Sequence, residues 1–164
     1  MQFRYARLED LPRIVEIYNS TIPSREVTAD TQPVSVESKR SWFEAHTPDK
    51  RPLWVVIDEQ EQIVAWASFQ SFYGRPAYEA TVEVSIYVEE HFRGKGLGKR
   101  ILEFCIDQAK GLGISTLLGF IFAHNHPSIK LFEHFGFSTW GHLPKVAVLD
   151  DTPVDLLILG KRIS

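Results

Sequence analysis

The sequence has very little cysteine, no long apolar run and no excess of positive charge. Cys105 is the only cysteine among 164 residues, so an internal disulfide is excluded. No apolar stretch approaches the roughly 20 residues of a membrane-spanning helix, and MQFRYARLED at the start has no features of a signal or transit peptide. The formal net charge of −3 argues against nucleic acid as the main partner. We therefore expect a cytoplasmic protein whose partner is neither a membrane nor a nucleic acid.

The composition is otherwise that of an ordinary globular domain. Hydrophobic residues make up 44% and charged residues 24%, and eleven Phe with four Trp provide ample material for a core. The length fits a single domain over residues 1–164, and no repeat, low-complexity tract or linker divides it. Cys105 lies on the apolar face of a predicted helix, so we expect it in the core and not as a nucleophile.

Hydrophobic periodicity predicts a mixed order of helices and strands. Asp10 is expected to cap the helix that follows it, and Pro12 suits the first turn of that helix. Two apolar segments around an acidic turn predict a hairpin over residues 53–72. A helix is expected over residues 97–110, ended by glycines. The other predicted elements are a strand at 2–7, a helix at 36–46, strands at 81–88, 115–122, 143–149 and 154–162, and a short helix between Pro127 and Gly136.

The most informative segment is TVEVSIYVEEHFRGKGLG, residues 81–98. A strictly alternating strand runs into a basic, glycine-rich turn, and a helix starts directly behind it. Glycines let a backbone approach a ligand closely, and N–H groups at a helix N-terminus point at phosphate oxygens. Arg93 and Lys95 add positive charge beside the turn. The pattern favours a site for a phosphate-bearing cofactor, and the alternative is a tight turn that binds nothing.

The same strand carries one carboxylate, Glu83, on its polar face. A carboxylate can take a proton from an ammonium group, directly or through one water, and so free a lone pair for attack. A phosphate-bearing cofactor next to such a base indicates group transfer. The alternative for Glu83 is a carboxylate on a solvated strand face.

Two blocks of the sequence together resemble the GCN5-related N-acetyltransferases. Arg93-x-x-Gly96-x-Gly98 resembles the acetyl-CoA loop of that family, and Asn125 through Phe137 resembles its second block. Nearly the whole chain is similar to the phosphinothricin-type branch, through YARLEDLPRIVEIYN, RPAYEATVEVSIYV, GHLPKVAV and VDLLILGKR. The resemblance implies an α/β (α+β) fold, with a mixed, mostly antiparallel central sheet that is flanked by helices and splayed at the cofactor site. It also implies a homodimer.

The resemblance implies that acetyl-CoA is the co-substrate. The turn would hold the pyrophosphate, and the strand before it would pair with the pantetheine arm. Asn125 would hydrogen-bond the same arm, or it would only cap a helix. The cofactor-binding residues implied are Ile86, Tyr87, Val88, Arg93, Gly94, Lys95, Gly96, Leu97, Gly98, Lys99 and Asn125. We expect no metal, because His124, His126 and His134 are not joined by further ligands at zinc-like spacing.

The resemblance further implies acetyl transfer to the α-amine of a small amino acid or analogue, of the phosphinothricin, methionine sulfone or methionine sulfoximine type. Glu83 matches the base of the family. Arg75 matches the arginine that holds the substrate carboxylate, and Phe72 and Tyr73 are expected to wall the same pocket. The alternative for Arg75 is an ordinary surface arginine.

Two positions depart from the family pattern. Ala65 stands where a glycine is usual, and Phe132 stands where many members have a tyrosine acid and the resistance-type enzymes have a histidine. Because Phe132 has no proton to donate, the general acid has to be another group or water. Two other functions stay open: acetylation of a polyamine, an aminoglycoside or a protein N-terminus, and a non-catalytic acyl-CoA-binding module.

Overall fold

One seven-stranded sheet forms the centre of the fold. The structure is a computed structural model that describes residues 1–164. The strand order is β1-β2-β3-β4-β5-β7-β6, and every neighbouring pair is antiparallel except β4 with β5. The strands are β1 (Gln2–Tyr5), β2 (Leu53–Ile57), β3 (Ile63–Ser71), β4 (Thr81–Val88), β5 (Thr116–Phe122), β6 (Ser138–Leu149) and β7 (Thr152–Arg162). The predicted mixed, mostly antiparallel sheet is confirmed.

Four helices cover the two faces of the sheet. They are α1 (Leu11–Ser20), α2 (Arg40–Glu44), α3 (Leu97–Lys110) and α4 (His126–His134). Ile101 and Cys105 of α3 belong to the larger buried cluster, together with Phe132 of α4. Ile14 and Ile17 of α1 belong to a smaller cluster. None of the helices combines the length and the apolar character that crossing a membrane requires.

Strand β2 illustrates why the middle of the sheet is apolar on both faces. Leu53 and Val55 pack with α1, whereas Trp54 and Val56 pack in the cluster that contains α3. Successive side chains of a strand point to opposite faces, so a continuous apolar run marks a strand that is covered on both sides. The two clusters therefore lie on opposite faces of one sheet.

The parallel strands β4 and β5 separate soon after they meet. Their ladder ends at the pair Glu83–Leu118, after only two earlier pairs. Beyond it, β4 continues beside β3 as far as Val88, and β5 continues beside β7 as far as Phe122. The sheet thus has a gap that begins at Glu83. The predicted splay of the sheet is confirmed.

Most element boundaries agree with the sequence, but those of α2 and β6 do not. Helix α2 spans only Arg40–Glu44 of the predicted 36–46, because residues 37–39 form a separate 3-10 turn. Helix α3 spans Leu97–Lys110 as predicted. Strand β6 begins at Ser138, well before the predicted start at 143, because register shifts break its alternating pattern. Asp10 occupies the predicted N-cap position of α1, but its side chain makes no capping hydrogen bond there. Its carboxylate accepts from the Arg7 N–H at 2.7 Å and pairs with Arg4, so it ties β1 to the turn before α1.

Candidate active site

The glycine-rich turn before α3 leaves its backbone donors free. Gly94 and Gly96 have φ values of 74° and 78°, in the left-handed region that side chains disfavour. Gly96 is the N-cap of α3. None of the backbone N–H groups of residues 94–99 donates to another protein atom. Unpaired donors at the positive end of a helix dipole suit an anion such as a pyrophosphate.

A cavity of about 520 Å³ runs from this turn into the gap between β4 and β5. We call it the gap cavity. Its lining includes the turn, residues 84–88 of β4, residues 119–121 of β5, and Asn125 and Phe132. Of the cofactor-binding residues predicted from the sequence, only Lys95 does not line it.

The main chain of β4 directs alternate residues into the gap. The Glu89 N–H donates to the Val64 oxygen at 2.8 Å, so odd-numbered residues of β4 form the hydrogen-bonded pairs with β3. The N–H and C=O groups of Val84 and Ile86 consequently point toward β5 and the gap. The last β4–β5 pair uses the Val84 N–H, which donates to the Leu118 oxygen, so the Val84 C=O and both Ile86 groups remain for the gap. Tyr87 is different, because its main chain faces β3 and only its ring lines the cavity.

The basic side chains beside the turn are exposed, and two of them reach the cavity. Arg93 and Lys99 line the gap cavity. The Arg93 Nε donates to the Val88 oxygen at 3.3 Å, which holds the arginine against the end of β4. Lys95 instead lies over the Phe92 ring, 5.5 Å from its centroid. Positive charge is therefore concentrated at the end of the cavity that carries the free N–H groups.

Asn125 holds the start of α4 and still faces the gap cavity. Its Oδ1 accepts from the Ser128 N–H at 3.3 Å, so the expected helix cap is present. Its Nδ2 donates to the Glu26 oxygen at 3.2 Å. An amide nitrogen carries two hydrogens, so one donor remains for a ligand. The two interpretations of Asn125 from the sequence are therefore compatible.

Phe132 is packed against β5 and leaves no proton donor at its position. A Cβ placed on Gly119 would lie 2.6 Å from Phe132 Cε2, so the glycine makes room for the ring. The ring also packs edge-on against Phe137, with centroids 4.8 Å apart. The ring therefore occupies a specific packing position in the wall of the gap cavity, and its chemistry is apolar.

A second cavity of about 220 Å³ lies among α1, α2 and the β3–β4 ladder. We call it the aromatic cavity, because Tyr18, Trp42, Trp66 and Tyr87 form its walls. Trp66 stacks on Tyr87 with ring centroids 4.6 Å apart, and its Nε1 donates to the Ile14 oxygen at 3.1 Å. These contacts hold the walls in place before any ligand arrives.

The two cavities meet at three residues of β4. Glu83, Ser85 and Tyr87 line both. They are alternate residues of one strand, so their side chains share a face. A group in the gap cavity and a group in the aromatic cavity can therefore approach each other beside the Glu83 carboxylate.

The environment of Glu83 suits a general base. Burial raises the pKa of Glu83 to about 6, and no lysine or arginine forms an ion pair with it. A carboxylate with this pKa is mostly ionised at neutral pH and more basic than an exposed one. General bases work best when their pKa lies near the working pH.

The loop predicted to bind a substrate carboxylate lies outside both cavities. Arg75, Phe72 and Tyr73 line neither cavity, and Tyr73 is 76% exposed. Phe72 packs against Tyr73, and Arg51 Nη2 donates to the Glu79 oxygen at 2.7 Å at the base of the loop. Within this chain the structure does not bring Arg75 to Glu83. Its role stays a prediction.

The histidines and the cysteine are not arranged for metal chemistry or nucleophilic attack. No group of three or more His, Cys, Asp or Glu side chains lies close enough together to hold a metal ion. His124 forms a hydrogen bond with the Arg25 oxygen at 2.8 Å. Cys105 is fully buried, and burial raises the pKa of its thiol, so it is a core residue as predicted.

A family model described as acetyltransferase (GNAT) matches residues 12–137. That range contains the turn, β4 and α4, the elements that build both cavities. The chain belongs to the acetyltransferase (GNAT) family. The family and the enzyme class predicted from the sequence are thereby confirmed.

Relatives within this GNAT family act on amino acids and their analogues, according to their names. YwnH of Bacillus subtilis, provisionally named a phosphinothricin acetyltransferase, is 52% identical over 164 residues, covering 100% of both chains. An L-methionine sulfoximine/L-methionine sulfone acetyltransferase of Pseudomonas paraeruginosa is 32% identical over 143 residues, covering 87% of this chain and 83% of that protein. A GNAT phosphinothricin acetyltransferase of Sinorhizobium meliloti, solved in complex with AcCoA, has a TM-score of 0.92 at 27% identity, covering 98% and 87% of the two chains.

Sequence reasoning did not find the aromatic cavity of this acetyltransferase. Trp66, Ser68 and Gln70 alternate along β3, so their common face could have been read from the predicted hairpin. The register that sets them opposite β4 could not have been read from the sequence. Trp42 and Lys39 come from a segment whose pattern gives no sign that it closes over the sheet.

Glu83→Gln is expected to stabilise the folded protein at neutral pH. The carboxyl has a pKa of about 6 instead of 4.5, so its ionisation costs the folded state about 2 kcal/mol. This cost is absent below pH 4.5, where the folded and unfolded states are both protonated, and it grows as the pH rises through about 6. Urea unfolding at about pH 4 and at about pH 8, on either side of both pKa values, measures the difference in the free energy of unfolding.

The control is Glu59→Gln, which changes an exposed carboxylate in the turn between β2 and β3. It should leave stability nearly unchanged at both pH values. If Glu83→Gln is no more stable than this control at the higher pH, the raised pKa is wrong.

Proposed function

We propose that this protein transfers the acetyl group of acetyl-CoA to the α-amine of a small amino acid or amino-acid analogue. One observation carries the proposal: Glu83 stands where a cavity with an anion-binding turn meets an aromatic cavity. The names of the relatives support the acceptor class, because they include acetyltransferases for phosphinothricin and for methionine sulfoximine and sulfone. These three compounds are the acceptors we would test first.

The gap cavity suits acetyl-CoA along its whole length. The free N–H groups of residues 94–99 would hold the pyrophosphate, with Arg93 and Lys99 adding charge. The Val84 C=O and the N–H and C=O of Ile86, which lie beyond the β4–β5 ladder, would pair with the pantetheine arm, as an added strand pairs with a sheet edge. When bound, acetyl-CoA supplies an acyl group activated as a thioester.

Glu83 would take the proton from the acceptor ammonium, directly or through one water. The freed nitrogen forms its bond to the acyl carbon as the carbon–sulfur bond breaks, and coenzyme A leaves. The main-chain N–H of Ile86 would stabilise the negative charge that develops on the acyl oxygen. Because Phe132 has no proton to give, the proton for the leaving sulfur comes from water or another group.

Glu83→Gln is expected to lower kcat by about 10²–10⁴-fold near neutral pH, the usual contribution of a general base. In the unaltered enzyme, kcat/KM should fall as the pH drops through about 6, where the Glu83 carboxylate becomes protonated. The variant should lose that dependence. Steady-state release of coenzyme A thiol, followed across this pH range, measures both effects.

Calorimetry with acetyl-CoA is the control for this variant, and the binding heat should be retained. A variant that keeps its full rate would contradict the role of Glu83. Binding of acetyl-CoA to the unaltered protein, without turnover on any amine, would instead support a non-catalytic acyl-CoA-binding module.

Arg75→Ala is expected to weaken the binding of acceptors that carry a carboxylate and to leave the binding of acceptors without one nearly unchanged. Losing a bidentate ion pair should raise KM for methionine sulfone about tenfold or more. The matched amine without the carboxylate, 3-(methylsulfonyl)propylamine, should be affected much less. Comparing KM for the two acceptors isolates the carboxylate.

Lys39→Ala is the informative companion, since Lys39 is the only lysine or arginine that lines the aromatic cavity. Arg7→Ala, at an exposed arginine paired with Glu9, is the neutral control. If Lys39→Ala produces the carboxylate-dependent loss and Arg75→Ala does not, the assignment to Arg75 is wrong.

The protein is further proposed to be a homodimer that uses the outer strand β6. This edge of the sheet exposes Trp140, Leu143, Val146 and Val148. Apolar edge strands are normally covered by a partner or protected by charge. Light scattering should give about twice the chain mass of 18.8 kDa. Val148→Lys should shift the mass toward the monomer.

The matched control is Val36→Lys, which changes a valine that is 39% exposed and lies far from β6 in the sequence. It should leave the dimer intact. A monomeric mass for the unaltered protein at micromolar concentration would contradict the dimer.

A further inference from the structure

The β3–β4 ladder presents three successive cross-strand pairs to the aromatic cavity. The strands are antiparallel in a fixed register, so residues two apart on each strand share this face. Along the ladder the pairs are Trp66–Tyr87, Ser68–Ser85 and Gln70–Glu83. The floor of the cavity thus changes from aromatic to hydroxyl to amide and carboxylate.

Ser68 stands out in this floor because its hydroxyl has no partner. The residue is 0% exposed, its Oγ is buried, and no protein atom hydrogen-bonds to it. It also lines the aromatic cavity. Burying a hydroxyl without a hydrogen bond is costly, and buried polar groups are nearly always paired in folded proteins. A hydroxyl left over at a cavity wall is therefore positioned for a ligand atom.

The spacing of the ladder fits a small amino acid. Ser68 lies one cross-strand step, two residues, from the pair that contains Glu83, which is about 7 Å along the strands. A chain of three single bonds beyond the α-carbon carries a side-chain oxygen roughly 6 Å from the α-amine, at bond lengths near 1.5 Å. An acceptor whose amine lies at Glu83 would therefore bring such an oxygen close to Ser68.

The surroundings of Ser68 favour an oxygen attached to an otherwise apolar side chain. Trp42 and Trp66 offer rings to methylene and methyl groups, and Ile14 and Val15 add aliphatic surface. Ser68 supplies a hydroxyl between them, opposite Ser85. Sulfone, sulfoximine and phosphinyl groups combine an apolar stem with oxygens that only accept, or chiefly accept, hydrogen bonds.

We infer that Ser68 donates a hydrogen bond to an oxygen on the acceptor side chain and so selects oxidised sulfur or phosphorus amino acids over thioethers of the same length. The inference rests on the proposed function, which puts the acceptor amine at Glu83. A site built to hydrogen-bond a substrate group discriminates against analogues that lack the group, because its own polar atom is then left unpaired. Ser68 is thus a specificity-determining residue.

The test compares kcat/KM for methionine sulfone and for methionine, which share one carbon frame and differ in the sulfone oxygens. In Ser68→Ala the value for the sulfone should fall about tenfold, and the value for methionine should change less than about twofold. The matched control is Ser41→Ala, at an exposed serine next to Trp42 whose side chain lies outside the cavity. It should leave both values unchanged.

Unfolding temperatures separate binding from a structural role. Free Ser68→Ala should unfold at or above the temperature of the unaltered protein, because the lost hydroxyl had no partner. The stabilisation that methionine sulfone produces in the presence of coenzyme A should shrink. Ser68→Cys keeps a side chain of similar size with a weaker donor. Its ratio of kcat/KM for methionine sulfone to kcat/KM for methionine should therefore lie between those of the unaltered enzyme and Ser68→Ala.

The inference would be overturned if the unaltered enzyme is active and Ser68→Ala keeps the same ratio of kcat/KM for methionine sulfone to kcat/KM for methionine. The partner of the Ser68 hydroxyl would then be water. If the unaltered enzyme binds acetyl-CoA but acetylates neither amino acid, the proposed function is wrong, and the inference fails with it.

Discussion

The end of hydrogen bonding between β4 and β5 is the constraint on which the site depends. After the pair Glu83–Leu118 the two strands diverge, and the Val84 C=O and the main-chain groups of Ile86 are left without strand partners. Buried backbone groups normally require partners, so an open edge inside a sheet is stable only when solvent or a ligand can reach it. The gap is therefore a binding surface made of backbone. The turn before α3 continues it with further free N–H groups.

The same opening sets the electrostatics of the base. Glu83 is the last residue of the paired segment, so its carboxylate lies between the two cavities and away from bulk water. Desolvation raises its pKa to about 6, which costs stability at neutral pH and favours proton transfer. The buried Glu83 carboxylate thus lowers the stability of the folded protein and raises the basicity of the site, a combination that is common at functional sites. Ser68, buried without a partner on the adjacent strand, carries a cost of the same kind.

Much of the fold and half of the site could be predicted because the relevant signals are local. The period of 3.6 residues predicted α3, and the alternation of Val82 and Val84 predicted β4. The turn at Gly94 and Gly96 was predicted from residue type, and both residues adopt the left-handed backbone that favours glycine. The start of β6 was missed because bulges interrupt its alternation, and the Asp10 carboxylate pairs with Arg4 instead of capping α1.

The sequence by itself determined which backbone segments become strands, helices and a phosphate-type turn, since these follow from side-chain period and glycine geometry. Only the tertiary structure decided which side chains meet. The register of β3 against β4 sets Ser68 opposite Ser85 and Gln70 opposite Glu83, and α1 and α2 close over them with Tyr18 and Trp42. It also left Arg75 outside both cavities. Contacts between distant segments depend on how whole elements pack, and no local pattern in the chain records that packing.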